Sequence, residues 1–131
     1  MSRFFTLVAA GLFAALVASC NSPRGGVILA SNARNFLSQK RIVEMTVKAS
    51  KHEVAEPITY LDSEVDYKDP KCLAVVIADS ARAAFKEQKI DDPSSFYRYK
   101  RIRVTGRIVF DGNQYQIHVT SPKQIQVIES R

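Results

Sequence analysis

The chain has 131 residues, which is enough for one folded domain rather than several. Hydrophobic residues make up 46% of it, an ordinary share for a globular protein, although part of that share lies in an N-terminal leader. The net charge of +6 excludes a predominantly acidic protein and modestly favours polyanionic partners. A solvated basic surface that has no partner is an equally good interpretation.

The first 19 residues have the organisation of a signal peptide. Arg3 supplies a positive charge, and residues 4–17 form an apolar run that is too short to span a bilayer comfortably. The overlapping segment LVASC, residues 16–20, resembles the lipobox of bacterial lipoproteins, in which the signal peptidase cuts before the cysteine and the cysteine sulfur takes a diacylglycerol. The resemblance implies cleavage after Ser19 and lipidation of Cys20. An ordinary cleaved signal with an incidental cysteine is the alternative.

Lipidation of Cys20 implies a membrane partner, because several acyl chains on one residue hold a protein firmly to a bilayer. Asn21 resembles the sorting residue of lipoproteins that reach the outer membrane. We therefore expect an exported, membrane-anchored lipoprotein, on the periplasmic face or the surface of the outer membrane if the cell has two membranes. Residues 20–36 indicate a lipidated N-terminus and tether, in which residues 27–29 either pack on the domain or form a short edge strand.

The folded domain is predicted to occupy residues 37–131 and to begin with three strands and a helix. Residues 41–50 alternate apolar and polar side chains, and residues 57–63 follow them as a second strand. Residues 73–78 are apolar on both faces and indicate a buried third strand. Residues 79–89 predict one short helix, which the sequence Asp-Asp-Pro ends.

A long hairpin is predicted from residue 99 onward, with its turn at residues 111–113 and a short extended segment at residues 124–128. Successive side chains of a strand point to opposite faces. One face of the first hairpin strand is therefore apolar, and the other carries arginines. We expect an exposed stripe formed by Arg101, Arg103 and Arg107. We expect the following residues to point inward: Val75, Ile77, Val104, Ile108 and Ile117.

This order of elements predicts an all-β fold with one helix, namely a five-stranded OB-fold Greek-key barrel with the helix between strands three and four. Residues 38–128 resemble the small bacterial OB-fold domains described as nucleic-acid-binding-like. The resemblance rests on these residues: Tyr60-Leu61-Asp62, Tyr67, Val75-Val76-Ile77, Lys100 to Gly106, Gln116-Ile117 and Pro122 to Ile125. Tyr99 and Tyr115 depart from it, since glycine and proline are usual there. Much of the motif is structural, so it supports the fold more than a ligand.

The sequence offers no catalytic or metal site. The four acidic residues at positions 62, 64, 66 and 69 are spaced like the start of a calcium loop, but Tyr67 stands where that loop needs glycine. His52 and His118 have no second ligand at zinc spacing, and neither a nucleophile motif nor a glycine-rich phosphate loop is present. We therefore expect a non-enzymatic protein without a cofactor. Cys72 is predicted to pack as a small apolar residue, with an intermolecular disulfide as the alternative.

Binding is the function that remains. A single-strand binder combines a basic groove with exposed aromatic rings. The residues that could form such a candidate polyanion surface here are Arg98, Lys100, Arg101, Arg103, Arg107, Tyr60, Tyr99 and His118. Single-stranded nucleic acid or another polyanion would be the ligand. In the alternative, the arginines pair with Glu44, Asp62 or Glu129, and the chain is a lipid-anchored structural or protein-interaction module with an envelope protein partner.

Overall fold

The structure, a computed structural model, describes residues 25–129. The predicted signal peptide, Cys20 and Asn21 lie outside these residues. The strands of the described part are β1 Val27–Leu29, β2 Lys40–Thr46, β3 Ala49–Glu53, β4 Ile58–Asp62, β5 Leu73–Ala78, β6 Arg101–Asp111, β7 Gln114–Val119 and β8 Ile125–Glu129. The α-helices are α1 Arg82–Glu87 and α2 Pro93–Tyr97, and 3-10 helices span Ala30–Phe36, Asp79–Ala81 and Pro122–Gln124.

The strands follow the order β1-β2-β6-β7-β5-β4-β3, with β8 paired to β6. The long strand β6 joins two parts of this sheet, because residues 101–107 pair with β2 and residues 108–111 pair with β7. We call β1, β2, β8 and residues 101–107 the first half of the sheet. The second half comprises β3, β4, β5, β7 and residues 108–111.

The described chain is mostly β-structure, as the sequence predicts, and its α-helices are short and lie between β5 and β6. The sheet has eight strands and its hydrogen-bonded path is open, so a closed five-stranded barrel is not confirmed. Val27–Leu29 form a strand that pairs in parallel with β2 at the edge of the sheet. Of the two alternatives for this segment, the structure therefore shows the short edge strand. Among the described residues, no helix is long and apolar enough to cross a membrane.

The prediction of one continuous strand at residues 41–50 is wrong. β2 ends at Thr46 and β3 begins at Ala49. The peptide groups between them bond elsewhere: Val47 N–H donates to the Lys100 carbonyl at 2.9 Å, and Lys48 N–H donates to the Asp62 carbonyl at 2.9 Å. The chain thus turns away from β6, the partner of β2, toward β4, the partner of β3.

The helical connection also differs from the prediction, since it contains two α-helices rather than one. Asp92 does not end a helix but caps α2, because its carboxylate accepts a hydrogen bond from Ser94 N–H at 3.1 Å. Pro93 occupies the first turn of α2, where the missing N–H costs nothing. Residues 79–81 form a 3-10 turn, so the predicted helix begins only at Arg82.

The core confirms the predicted alternation. Every residue expected to point inward is at most 1% exposed, namely Val75, Ile77, Val104, Ile108 and Ile117. The helices close one side of this core with Phe85 and Tyr97, whose rings meet edge to face at 6.3 Å. Burial raises the pKa of Tyr97 to about 12. Cys72 is a buried free thiol, as its packing interpretation predicts, and burial raises its pKa.

Gly106 lies on the inward face of β6, where close packing requires a residue without a side chain. A Cβ atom at this position would lie 2.5 Å from Cγ2 of Ile117, far inside a normal contact distance. The side chain of Ile117 fills this space instead and is fully buried. The glycine in the middle of this long strand therefore lets β6 and β7 pack closely.

Candidate binding surfaces on the two halves of the sheet

The structure separates the residues of the candidate polyanion surface into two groups. The first half of the sheet carries Arg101, Arg103 and Arg107 of β6, and the segment just before β6 contains Arg98, Tyr99 and Lys100. Tyr60 lies in β4 and His118 in β7, and both stand beside Val76 of β5 on the second half. The eight residues therefore do not line one continuous strand surface.

The predicted arginine stripe lies on the outer face of β6 and shares one carboxylate. Glu44 stands opposite Arg103 in the β2–β6 pairing. Its carboxylate accepts a hydrogen bond from Arg103 Nε at 3.1 Å and from Arg101 Nε at 2.8 Å. The guanidinium of Arg101, and then that of Arg103, hold the pKa of Glu44 below its usual range. The carboxylate of Glu44 thus contacts two guanidinium groups, and the side chains of Arg101 and Arg103 remain 49% and 40% exposed.

Glu44 was one of the three acidic partners that the sequence offered for these arginines. Asp62 lies on the second half of the sheet and makes no ion pair with them, so this pairing is wrong. The side chain of Glu129, the third candidate, lies outside the described part of the structure. Ion pairs between exposed side chains contribute little to stability, so these pairs hold the side chains only loosely.

The other basic residues extend this charge along the same part of the chain. Arg107 donates a hydrogen bond to the carbonyl of Ser38. Arg98 donates to the hydroxyl of Ser50 at 2.8 Å and to its carbonyl at 2.7 Å. The ammonium of Lys100 lies 3.5 Å from the centre of the Phe96 ring. Among the described side chains, no carboxylate pairs with Arg98, Lys100 or Arg107.

Tyr99 is the exposed aromatic residue beside these cations. It is 61% exposed and lines an open groove of about 710 Å³ together with Glu44 and Arg101. Its φ angle of 66° lies in the left-handed region, which explains why glycine is usual at this position in the domains that the chain resembles. Its N–H is fixed by a 2.7 Å hydrogen bond to the carbonyl of Val47. Tyr97, by contrast, is 2% exposed and cannot stack on a ligand.

A second groove, of about 340 Å³, lies on the outer face of the second half of the sheet. We call it the acidic groove. It is lined by Lys51, Glu53, Ala55, Glu56, Tyr60, Asp62, Tyr67, Gly112, Gln114 and Gln116. Tyr60 is half-buried, and Tyr67 reaches the groove from the loop after β4 with its ring largely exposed.

Asp62 gives the acidic groove its unusual chemistry. The residue is 6% exposed, and its Oδ1 atom is buried without a hydrogen-bond partner among the described atoms. Burial raises the pKa of this carboxyl to about 6, and the nearby charge of Lys51 limits the rise. The sequence pattern places Asp62 near the end of the second strand and in an acidic cluster, and it does not predict that this carboxyl is buried. The signal that could have corrected it is its place at the end of the Tyr-Leu-Asp strand, on the same face as Tyr60.

Lys51 brings a cation to the two aromatic rings of the acidic groove. Its ammonium lies 5.5 Å from the centre of the Tyr60 ring and 5.7 Å from that of Tyr67. It also pairs with Glu53 at 3.1 Å, and this hydrogen bond raises the pKa of Lys51. Among residues 25–129, no group of three His, Cys, Asp or Glu side chains is arranged to hold a metal ion.

No protein-family model matches the chain, and no curated protein is significantly similar to it in sequence. Solved structures do share its fold. Asparaginyl-tRNA synthetase from Pyrococcus horikoshii superposes with a TM-score of 0.51 at 15% identity, over 79% of this chain and 23% of the synthetase. A chain named as an aspartyl-tRNA synthetase from Leishmania major Friedlin gives 0.53 at 10% identity, over 92% and 26%.

A third similar structure is OBody AM1L10 bound to hen egg-white lysozyme. It gives a TM-score of 0.55 at 10% identity and covers 85% of this chain and 99% of the OBody. The chain thus spans about a quarter of the synthetases but the whole length of the OBody. At these identities the similarity shows the fold alone, and that fold is OB-like, as the sequence predicts.

Proposed function

We propose that this chain is a non-enzymatic, lipid-anchored OB-fold module that binds single-stranded nucleic acid or a similar polyanion through the basic part of β6. The observation that carries the proposal is the outward stripe of arginines, in which Arg101 and Arg103 both contact the carboxylate of Glu44 and remain half exposed. The fold shared with two proteins named as tRNA synthetases supports a nucleic acid as the polyanion.

Phosphate can replace Glu44 because it offers the same type of acceptor to the same guanidinium groups. Arginine presents its donors in a planar fork that matches phosphate oxygens. Lys100 and Arg107 lie beyond the two ends of this pair, and exposed Tyr99 offers a ring on which a base can stack. Contacts of this kind bind the backbone and carry little sequence information.

We further propose that β2 and β3 act as one bent strand of a five-stranded OB barrel formed with β4, β5, β6 and β7. The support is that β2 pairs with β6 while β3, two residues later, pairs with β4. β1 and β8 are then additions to the edges of the barrel. In that arrangement, the arginine stripe lies on the outer surface of the fourth barrel strand.

Binding is tested by titrating the full-length chain, in mild detergent, into a fluorescent single-stranded oligonucleotide at several salt concentrations. Arg103→Ala should weaken binding about equally for different sequences and reduce the salt slope by about 0.7. Glu44→Gln should strengthen binding, because it removes the carboxylate that competes with phosphate. Lys86→Ala is the matched control, since this exposed lysine of α1 lies outside the candidate surface.

Two outcomes would refute the nucleic-acid proposal. One is no binding at roughly tens of micromolar protein in low salt, where counterion release makes phosphate binding strongest. The other is an equal loss of affinity in Arg103→Ala and Lys86→Ala, which would show that only the net charge matters. A change in affinity for Arg103→Ala alone, with tighter binding for Glu44→Gln, would support the site.

The anchor and the exported location are proposed from the lipobox-like residues that end at Cys20, and Asn21 favours the outer membrane if the cell has two membranes. Cys20→Ser should release the chain from the membrane fraction and remove the mass of the acyl groups. If the variant stays equally membrane-bound, and its intact mass differs from that of the unaltered chain only by the substitution, the lipoprotein proposal is wrong. Both results are read by cell fractionation and intact-mass spectrometry.

A lipid-anchored module for binding another envelope protein is the second candidate function. The specific observation in its favour is the similar OBody, which spans the same fold and is bound to a protein, lysozyme. In this function the arginine stripe is a solvated surface held by Glu44. In that case the unaltered chain should not bind the oligonucleotide, and neither should Glu44→Gln or Arg103→Ala.

A further inference from the structure

The acidic groove contains a buried carboxylate that nothing in the described structure satisfies. Asp62 forms part of the wall of the groove and is 6% exposed, and no described residue donates a hydrogen bond to its side chain. A buried acceptor without a donor costs free energy, and native proteins usually provide a partner for such a group. A ligand that brings N–H donors into this groove would lie against this carboxyl group.

The two tyrosines of the groove are arranged around a positive charge. The ammonium of Lys51 already lies within 6 Å of both ring centres, a distance at which a ring face attracts a cation. A second ammonium, from Lys68, lies 5.8 Å from the Tyr67 ring. The rings of Tyr60 and Tyr67 therefore contact cationic groups on this surface in the unliganded chain.

The charges that line the groove favour a cation over a phosphate. Glu53, Glu56 and Asp62 are three carboxylates, whereas Lys51 is the one basic residue of the lining, and Glu53 already neutralises it. Gln114 and Gln116 add neutral amide groups that can accept or donate hydrogen bonds. A phosphate backbone would meet net repulsion here, in contrast to the basic part of β6.

We propose that the acidic groove binds the guanidinium group of an arginine side chain, presented by a basic segment of a partner protein. A guanidinium is planar, so it can stack on a tyrosine ring, and it carries five N–H donors for acceptors such as Asp62, Glu53 and the glutamine carbonyls. Its weak hydration suits a partly buried site. Lys51 keeps its pairing with Glu53 when the arginine enters.

The inference does not depend on nucleic-acid binding. The groove lies on the second half of the sheet and the arginine stripe on the first, so either surface can fail without the other. A partner with a basic segment is also the kind of protein that the second candidate function requires.

The test is an NMR titration of the full-length, isotopically labelled chain in detergent micelles with the peptide acetyl-Gly-Arg-Gly-amide. Saturable shifts are expected at the backbone amides of Lys51, Tyr60, Asp62 and Gln116. The same peptide with citrulline in place of arginine has the same shape without the charge, and it should bind at least tenfold more weakly. Asp62→Asn should weaken binding of the arginine peptide at least tenfold.

Asp91→Asn is the matched control variant, because it removes one carboxylate from an exposed position outside the groove. It should bind the arginine peptide as the unaltered chain does. Equal weakening by Asp62→Asn and Asp91→Asn would overturn the inference, since a general field effect would explain both. Equal binding of the citrulline and arginine peptides would overturn it as well.

Two further outcomes would assign the groove to another ligand. An unlabelled single-stranded oligonucleotide is added in the same titration in place of the peptide. If it changes the chemical shifts of the groove amides and Asp62→Asn abolishes this change, the groove binds a nucleotide base and the arginine proposal is wrong. If guanidinium ion binds as tightly as the arginine peptide, the peptide stem makes no contact and a protein partner is refuted. Stronger binding of the peptide than of the free ion supports the proposal.

Discussion

Replacing Asp62 by asparagine should make the protein increasingly stable, relative to the unaltered chain, as the pH rises from about 4 to about 7, although the change removes a charged group. The carboxyl has an ordinary pKa of 3.8 and a folded pKa of about 6, because burial penalises its ionised form. The folded chain thus holds this proton to a higher pH than the unfolded chain does. As the pH rises from about 4 to about 6, Asp62 lowers the free energy of unfolding, and above that window the loss is constant.

The magnitude follows from the size of the pKa difference. One pKa unit corresponds to about 1.4 kcal/mol, so an ionised Asp62 costs about 2–3 kcal/mol of stability at pH 7. Asparagine has nearly the same shape and does not ionise. The stability of Asp62→Asn relative to the unaltered chain should therefore improve by about 2 kcal/mol between pH 4 and pH 7. The improvement, rather than the absolute value, is the prediction, because a buried amide has hydrogen-bonding demands of its own.

Urea unfolding followed by circular dichroism at pH 4, 5, 6, 7 and 8 measures this difference. Other groups also make the stability depend on pH; hydrogen bonds with Ser94, for example, lower the pKa of Asp92. Their contributions cancel when the two proteins are compared at each pH. A pH-independent difference between Asp62→Asn and the unaltered chain would refute the description of Asp62 as a buried, unpartnered acid.

Two further predictions concern the core, and urea unfolding measures both. Val104→Ala should lower the free energy of unfolding by about 1–3 kcal/mol, because Val104 is fully buried and its loss leaves a cavity; no change would contradict the assigned strand register. Gly106→Ala should cost about 1–3 kcal/mol because its Cβ would meet Cγ2 of Ile117. In the double variant with Ile117→Ala this contact is absent, so the combined cost should be smaller than the sum of the two single costs. Additive costs would contradict a clash between the new Cβ and Ile117.

The alternation of side chains was sufficient to predict which face of the main strands lies in the core. Val43, Met45 and Val47 have the same parity and are all buried. The same alternation hid the turn between β2 and β3, because Val47 continues the inward pattern while the chain changes its pairing partner. Period-two patterning reports which face a residue occupies, and it does not report which strand lies beside it.

The candidate surfaces show the same limit. Parity placed Arg101 and Arg103 on the outer face, and only the pairing of β2 with β6 selected Glu44 as their shared partner. Likewise, the pair Asp92-Pro93 fits both the end of one helix and the start of the next. The hydrogen bond from Ser94 N–H to Asp92 shows that it starts a helix. Each of these choices depends on contacts between segments that are distant in sequence or on one local hydrogen bond.

The net charge of the chain conceals two surfaces of opposite sign, and this separation has a consequence for function. The cations of β6 gather on the first half of the sheet, whereas three carboxylates line a groove on the second half. Screening limits interactions between exposed charges to about 8–10 Å at physiological salt, so each surface should act on its own ligand. Arg103→Ala should then alter oligonucleotide binding without changing the affinity for the arginine peptide, and Asp62→Asn should do the reverse. Loss of both activities in either variant would mean that the two surfaces form one site, and the separate assignments would have to be abandoned.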